Sequence, residues 1–180
     1  MRKIVSGLFM SLDGVVESPD QWHFPYFNDE MGAAVEAQAA EADTILLGRV
    51  TYQEFAAYWA DKGSEVPFAD HLNNTPKLVA STTLGKVEWR NASLIPGNVA
   101  VQLSRLKEQP GKNISIIGSP TLVRSLLRDD VLDELRLLIH PIVVGQGKRL
   151  FEPQGFGKAL TLVDSKTFRT GVLSLIYQRA

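Results

Sequence analysis

Two stretches of this chain share one pattern, and that pattern restricts the fold more than any other feature. Thr44-Ile-Leu-Leu-Gly48-Arg49-Val50-Thr51 and Ile114-Ser-Ile-Ile-Gly118-Ser119-Pro-Thr121 each carry a short, mostly apolar run into a glycine and then into a helical pattern. A short apolar run halted by glycine reads as a strand buried on both faces. The residues after each turn repeat with helical spacing: Tyr52, Phe55, Ala56 and Trp59 in one case, Leu122, Val123, Leu126 and Leu127 in the other. Strand-turn-helix units of this kind require a mostly parallel sheet with helices laid over it.

The remaining segments fit that scheme. Ile4–Met10 reads as a buried strand, and Ser11 to Phe27 as a loop carrying Asp13-Gly14, Pro19 and Pro25. Asn28 is placed to cap a helix that starts with Asp29 and Glu30 and continues through Met31–Ala42. A short helix is expected from Pro67, and a third strand over Lys77–Ala80. Val87–Trp89 and Ser93–Ile95 are two further short strand candidates. Asn98 is placed to cap a helix carrying Val99, Leu103 and Leu106, and Ser119 to cap the helix whose first residue is Pro120. Leu135–Val144 reads as a long strand interrupted by Pro141. Leu160–Phe168 and Gly171–Tyr177 alternate around a turn at Arg169-Thr170, the pattern of a β-hairpin. The fold class is therefore α/β, with a mixed, mostly parallel sheet and a closing antiparallel hairpin.

Composition narrows function mainly by exclusion. A length of 180 residues suits one domain over 1–180. Nineteen Lys and Arg against 20 Asp and Glu leave a net charge of −1, which gives no electrostatic case for nucleic acid or an anionic membrane as partner. There is no cysteine, so disulfides, thiolate nucleophiles and Cys-ligated metals are excluded. Arg2-Lys3 and Ile4–Met10 could open a signal peptide, but Ser6, Gly7, Ser11 and Asp13 interrupt the run and no cleavage pattern follows; a cytoplasmic location is the expectation. His23, His71 and His140 lie far apart in the chain, so no metal site is expected. No GxSxG, GxxxxGK[ST] or GxGxxG pattern is present; after Gly145 and Gly147 the third position is Leu150.

Chemistry in such a sheet gathers where the strands end. The helix starts after Gly48 and Gly118 offer unpaired N–H groups suited to phosphate, with Arg49, Thr51, Ser119 and Thr121 adding a cation and hydroxyls. Two phosphate cradles would suit a dinucleotide; the plain alternative is that both glycines serve turns and packing. Asp13 could hydrogen-bond a heterocyclic amine or sugar hydroxyl or relay a proton, or simply make an Asp-Gly turn. Trp22, Phe24, Tyr26 and Phe27 could wall a pocket for a flat ring, pin the loop to the core or form an oligomer contact. His23, inside that loop, is the histidine to watch, whereas His140 reads as a satisfied strand residue.

Taken in order, five segments bring a family into view. Ser11-Leu-Asp-Gly14, Leu46-Leu-Gly-Arg-Val-Thr-Tyr52, Ile117-Gly-Ser-Pro-Thr-Leu-Val123, Val131-Leu-Asp-Glu-Leu-Arg136 and Pro141-Ile-Val-Val-Gly-Gln-Gly-Lys-Arg-Leu-Phe151 together resemble the dihydrofolate-reductase-like superfamily. The closer likeness is to stand-alone bacterial proteins related to the C-terminal reductase domain of the bifunctional riboflavin-biosynthesis deaminase/reductase. This resemblance implies a dihydrofolate-reductase-like central sheet of about eight strands with helices on both faces, and NADPH bound across the strands' carboxyl ends. It implies that Gly48, Arg49, Val50 and Thr51 face cofactor phosphates and that Ser81 and Thr82 lie by the adenosine phosphate. It implies further that Gly118, Ser119, Thr121 and Leu122 lie beside the nicotinamide and pyrophosphate, and that Asp13 faces substrate and nicotinamide. The aromatics Trp22, Phe24 and Phe27 would then border the substrate, and the protein would be a homodimer. Dihydrofolate reductases usually carry Gly-Gly where this chain has Gly118-Ser119, and no zinc-deaminase half is present. The activity this implies is hydride transfer to a small polar heterocycle or sugar derivative, as in 5-amino-6-(5-phosphoribosylamino)uracil reductase or dihydrofolate reductase. The rival is a non-catalytic nucleotide-binding protein with the same fold.

Overall fold

Eight strands form one sheet in the computed structural model, which describes residues 1–180. In chain order the elements are β1 (Ile4–Ser11), α1 (Asp29–Ala40), β2 (Ala42–Gly48), α2 (Arg49–Trp59), α3 (Ala69–Asn74), β3 (Lys77–Ala80) and β4 (Ala92–Leu94). There follow α4 (Val99–Lys107), β5 (Asn113–Ile117), α5 (Pro120–Arg128), β6 (Glu134–His140), β7 (Leu160–Thr167) and β8 (Leu173–Arg179). Two single helical turns, Pro19–Gln21 and Phe24–Tyr26, interrupt the first long loop. The strand order is β4-β3-β2-β5-β1-β6-β8-β7. The first six strands of the chain run parallel to their neighbours, and β8 joins β6 and β7 antiparallel.

Side chains along each central strand alternate between two apolar layers, as strand geometry requires. Leu46, Ile4, Leu8, Ile114 and Ile116 pack against Leu103 of α4 and Val123, Leu126 and Leu127 of α5. Ile45, Leu47 and Val79 point the other way and meet Tyr52 of α2, Leu72 of α3 and Trp89. Met31 of α1 closes a smaller cluster with Phe168 and Val172, against which Phe9 and Leu138 pack. The helix caps read from the sequence are present at Asn28, whose Oδ1 accepts the Met31 N–H, and at Asn98, whose Oδ1 accepts the Val101 N–H. Each such cap stabilises its helix by about 1 kcal/mol.

Four local readings need correction. Val87–Trp89 is not a strand, because the N–H groups of Glu88 and Trp89 both donate to the Tyr52 hydroxyl, at 3.0 and 3.2 Å, and not to a ladder. β6 stops at His140, since Pro141 has no N–H to continue the pairing. The first helix ends at Ala40, and Ala42 already belongs to β2. Ser119 stands at the N-cap position of α5, yet its side chain makes no capping bond. No helix is long and apolar enough to cross a membrane.

One buried cation organises the far end of the sheet. Lys77, 1% exposed, donates from Nζ to the carbonyls of Leu72 and Thr75 at 2.7 and 2.9 Å, where α3 ends, and sits 4.5 Å above the Trp89 ring. Trp89 in turn donates its indole N–H to Asn73 Oδ1 at 2.6 Å. Burial, helped by the charge of Arg90, pulls the Lys77 ammonium down to about 8. Lys77→Met is expected to cost about 1–3 kcal/mol by stranding those carbonyls, measured by urea unfolding. The folded state loses the Lys77 proton near pH 8, while the unfolded chain keeps it to about 10.4. The stability gap between wild type and Lys77→Met should therefore widen as pH rises through that window. A gap that stays constant would show that the amine keeps its proton.

Candidate active site at the carboxyl edge of the sheet

Parallel strands deliver their carboxyl ends to one edge, and β2 and β5 are neighbours there. The two glycine turns singled out in the sequence consequently touch. The Ser119 hydroxyl accepts the Gly48 N–H at 2.8 Å and donates to Thr51 Oγ1 at 2.9 Å. The Ser119 N–H also donates to Thr51 Oγ1, at 3.1 Å. The glycines are required by this closeness: a Cβ on Gly48 would stand 3.1 Å from Ser119 Oγ, and one on Gly118 would stand 3.1 Å from Thr51 Cγ2. Gly118 and Ser119 both adopt left-handed backbone, with φ of 57° and 58°. That conformation costs a non-glycine residue roughly 1–2 kcal/mol. Three hydrogen bonds to the Ser119 hydroxyl and amide, each worth about 1 kcal/mol net, offset it.

Thr51 and Ser119 are therefore occupied with each other and with Gly48. What the turns leave open is backbone. Neither α2 nor α5 has a side-chain cap at its start, so first-turn N–H groups of both helices, apart from Pro120, which has none, lie uncapped at this edge. Arg49 is exposed, and its guanidinium bonds to Gln53 Oε1 at 3.1 Å, with no carboxylate partner among the ion pairs. Val50 is 42% exposed beside it. Thr121 is also exposed and accepts from Arg124 at 3.3 Å, while Leu122 lies half-buried behind the turn. Ser81 and Thr82 follow β3 on the same edge. The Ser81 hydroxyl accepts from the N–H groups of Thr83 and Leu84 at 3.1 and 3.0 Å, shaping that turn, and Thr82 is exposed. Bare helix starts, an unpaired cation and glycines without side chains are a donor set that fits the phosphates of a dinucleotide.

Asp13 lies on this edge, past the end of β1, with its carboxylate fully engaged. It accepts the Ser11 hydroxyl at 2.6 Å and the N–H groups of Val144 and Gly145 at 3.0 and 2.8 Å. The Ser11 bond first, and then the two amides, hold its carboxyl far below the usual carboxylate range. At neutral pH this group is an anion that accepts hydrogen bonds, with no proton to give. Arg149 completes the arrangement, 3.5 Å from the carboxylate and donating from Nε to the Asp13 carbonyl at 3.0 Å. Arg124 of α5 reaches the Arg149 and Leu150 carbonyls at 3.0 and 3.1 Å, tying the loop after β6 to the turn at Thr121. Arg149 and Arg124 were not among the residues expected at the site. Arg149 follows the Gly145-Gln-Gly147 stretch, and that is the only signal the sequence held for it.

The aromatic loop closes the next part of the edge. Trp22 is buried, donates its indole N–H to the Glu17 carbonyl at 3.2 Å, and stands edge-on to His140 at 5.1 Å. His23 lies between Phe9, Phe24 and Phe27, with ring centres 4.9, 4.2 and 6.1 Å away. Phe24 and Phe27 are 65% and 51% exposed. The three aromatics expected at a substrate pocket are thus together, Trp22 beneath and the two phenylalanines at the surface. His140 is not the satisfied residue expected: it is fully buried, its Nδ1 lies 2.8 Å from the Leu138 carbonyl, and its Nε2 has no partner. Because a carbonyl only accepts, Nδ1 must carry the proton and Nε2 is a bare acceptor. Burial lowers both histidines, so each is neutral at pH 7. No three metal-binding side chains are gathered anywhere.

Comparison with known proteins agrees with this geometry. The Bacillus subtilis protein YyaP is 29% identical over 180 residues, covering 98% of this chain and 94% of its own length. A solved structure from Shewanella sp. PV-4, whose suggested role is in riboflavin biosynthesis, superposes with a TM-score of 0.79 at 19% identity and covers 99% of both chains. The riboflavin biosynthesis reductase of Saccharomyces cerevisiae gives 0.63 at 16% identity, covering 99% of this chain and 90% of its own. Both share the fold of this chain. Residues 2–174 match the RibD C-terminal domain, and the chain belongs to that family.

Proposed function

We propose that this protein is a cytoplasmic NADPH-dependent reductase acting on a small polar heterocycle or sugar derivative of the pyrimidine kind. The observation that carries the reading is the joined turn of β2 and β5, which brings two helix starts without side-chain caps together beside the exposed Arg49. The match to the RibD C-terminal domain and the likeness to a riboflavin biosynthesis reductase support it. The first-turn amides of α2 and α5, Arg49, Thr82 and Thr121 would hold the phosphates of the nucleotide. When bound, NADPH supplies the hydride. The chain's part is to orient both reactants and keep water away. Asp13 does this indirectly, because its carboxylate fixes the 141–149 loop against the end of β1. Phe24 and Phe27 offer flat apolar surface for the acceptor ring, with Trp22 behind them.

A second reading, binding without turnover, is favoured by one observation: the carboxylate at this edge is anionic and committed, and both histidines nearby are neutral and buried. Under it the protein senses or stores a nucleotide.

Calorimetric titration separates the readings. NADPH should bind with a dissociation constant of roughly 1 μM to 1 mM, and Arg49→Ala should weaken it about 10-fold or more, the cost of a charged hydrogen bond. Absence of binding would remove both readings; binding with no oxidation of NADPH across a panel of pyrimidine and pterin acceptors would select the second. Asp13→Asn should leave NADPH affinity within about 2-fold but cut kcat on the order of 100-fold, because an amide opposed to two N–H donors displaces the loop. Unchanged turnover would take Asp13 out of the account.

A further inference from the structure

Four buried side-chain polar atoms lack a partner, and two of them are ring nitrogens in one place: His140 Nε2 and His23 Nδ1. The two rings stand edge to face with centres 6.3 Å apart. His140 is the last residue of β6, opposite Ser11 at the end of β1, on the face where Leu138 and Phe9 pack against Met31 of α1. Its other neighbours are also rings: Phe9, Trp22 and Tyr26 lie 5.7, 5.1 and 5.8 Å away. None of them has a donor to spare. Phe9 carries none, the Trp22 indole N–H goes to the Glu17 carbonyl, and the Tyr26 hydroxyl is directed at the Pro141 carbonyl. His23 makes no bond to it either. A buried acceptor left unmade is rare in a folded protein, because its desolvation is not offset.

What covers the two rings is not fastened to the sheet by hydrogen bonds. In residues 18–27 the N–H groups of Gln21, Trp22 and His23 donate to the Ser18 and Pro19 carbonyls, and those of Tyr26 and Phe27 to the His23 and Phe24 carbonyls. Beyond this stretch and its neighbour Glu17, the one polar tie is that of Tyr26 to Pro141, at 3.5 Å. Lifting the segment therefore breaks aromatic packing and no ladder. Beneath it, β6 lies two strands from β5, so His140 stands roughly 10 Å across the sheet from the Gly118-Ser119 turn. That is beside the edge assigned to the nucleotide phosphates and under Phe24 and Phe27, where the acceptor ring is placed. We propose that His140 Nε2 accepts a ring N–H of the substrate, a flat lactam or imide heterocycle that enters as the 18–27 segment lifts, and that His23 faces the adjacent ring carbonyl. His23 suits that part because nothing bonded to its Nδ1 fixes its tautomer, so the ring can donate there. The inference rests on the proposed function for the nature of the site, but its test reads ring binding without NADPH, so that each can fail alone.

Nitrogen magnetic resonance of the full chain, titrated with lumazine in the absence of NADPH, reads the contact at its own atom. Lumazine should move the His140 Nε2 signal saturably toward that of a hydrogen-bonded ring nitrogen. Its analogue 1,3-dimethyllumazine carries methyl groups in place of both N–H groups and should bind about 10-fold more weakly or worse, the effect of one hydrogen bond lost to a buried acceptor. His140→Gln keeps an acceptor and should retain most of that preference, whereas His140→Leu should abolish it. A residue with only a structural role would give the two variants the same effect. If neither variant folds, the comparison of the two lumazines on the wild type still decides. Equal binding of the two, as a resting solvent molecule at Nε2 would give, or a Nε2 signal that stays in place at millimolar lumazine, would overturn the proposal.

Discussion

The contact on which the edge depends is the crossing of two neighbouring turns, where the Ser119 hydroxyl is held between the Gly48 amide and the Thr51 hydroxyl. Adjacent parallel strands that each lead into a helix bring two helix starts into the same small volume, and their partial positive charges repel. The Ser119–Thr51 pair spans that approach with neutral hydroxyls. It also holds Ser119 in a backbone conformation that is unfavourable for a residue with a Cβ. The cost and the bonds are local to each other, so the geometry of both turns is set together. Glycine at 48 and 118 is what lets the second strand come close enough for the crossing.

The other half of the edge is held by a cluster of polar groups at the surface. A carboxylate at 13 and two amides at 144 and 145 satisfy each other across a long stretch of chain, and Arg149 and Arg124 extend the tie to α5. Removing the carboxylate takes the shared acceptor from two amides and a hydroxyl at once and frees the loop they hold. Asp13 is therefore a structural anchor that holds the 141–149 loop against the end of β1.

Local features were legible in the sequence wherever the physics is local. Asn28 and Asn98 act on amides three residues away, and the apolar run of β2 needs no partner to be recognised as buried. The hairpin followed from the alternation of β7 and β8, and a sheet of about eight strands from the resemblance, while the strand order rests on long-range pairings that no local pattern announces. What escaped were pairings between distant residues. Nothing near Glu88 and Trp89 announces that the Tyr52 hydroxyl takes their amides, and nothing near Ser119 announces that its side chain serves β2 in place of its own helix. The residues expected at the site lie along one edge of the sheet, but Thr51 and Ser119 bind each other, which leaves backbone amides and Arg49 as the donors open there. His140 was misjudged because burial at a strand end says nothing about whether the second ring nitrogen finds a donor.

Under the proposed function, the crossing presents two uncapped helix starts as a single nucleotide-binding edge. The most direct measurement is an amide-resolved magnetic resonance titration of the full chain with NADPH. The account predicts that the N–H signals of Arg49 to Thr51 and of Thr121 and Leu122 shift together, with one saturation curve, while those of the β7–β8 hairpin stay in place. Shifts confined to one of the two turns, or centred elsewhere on the molecule, would contradict it.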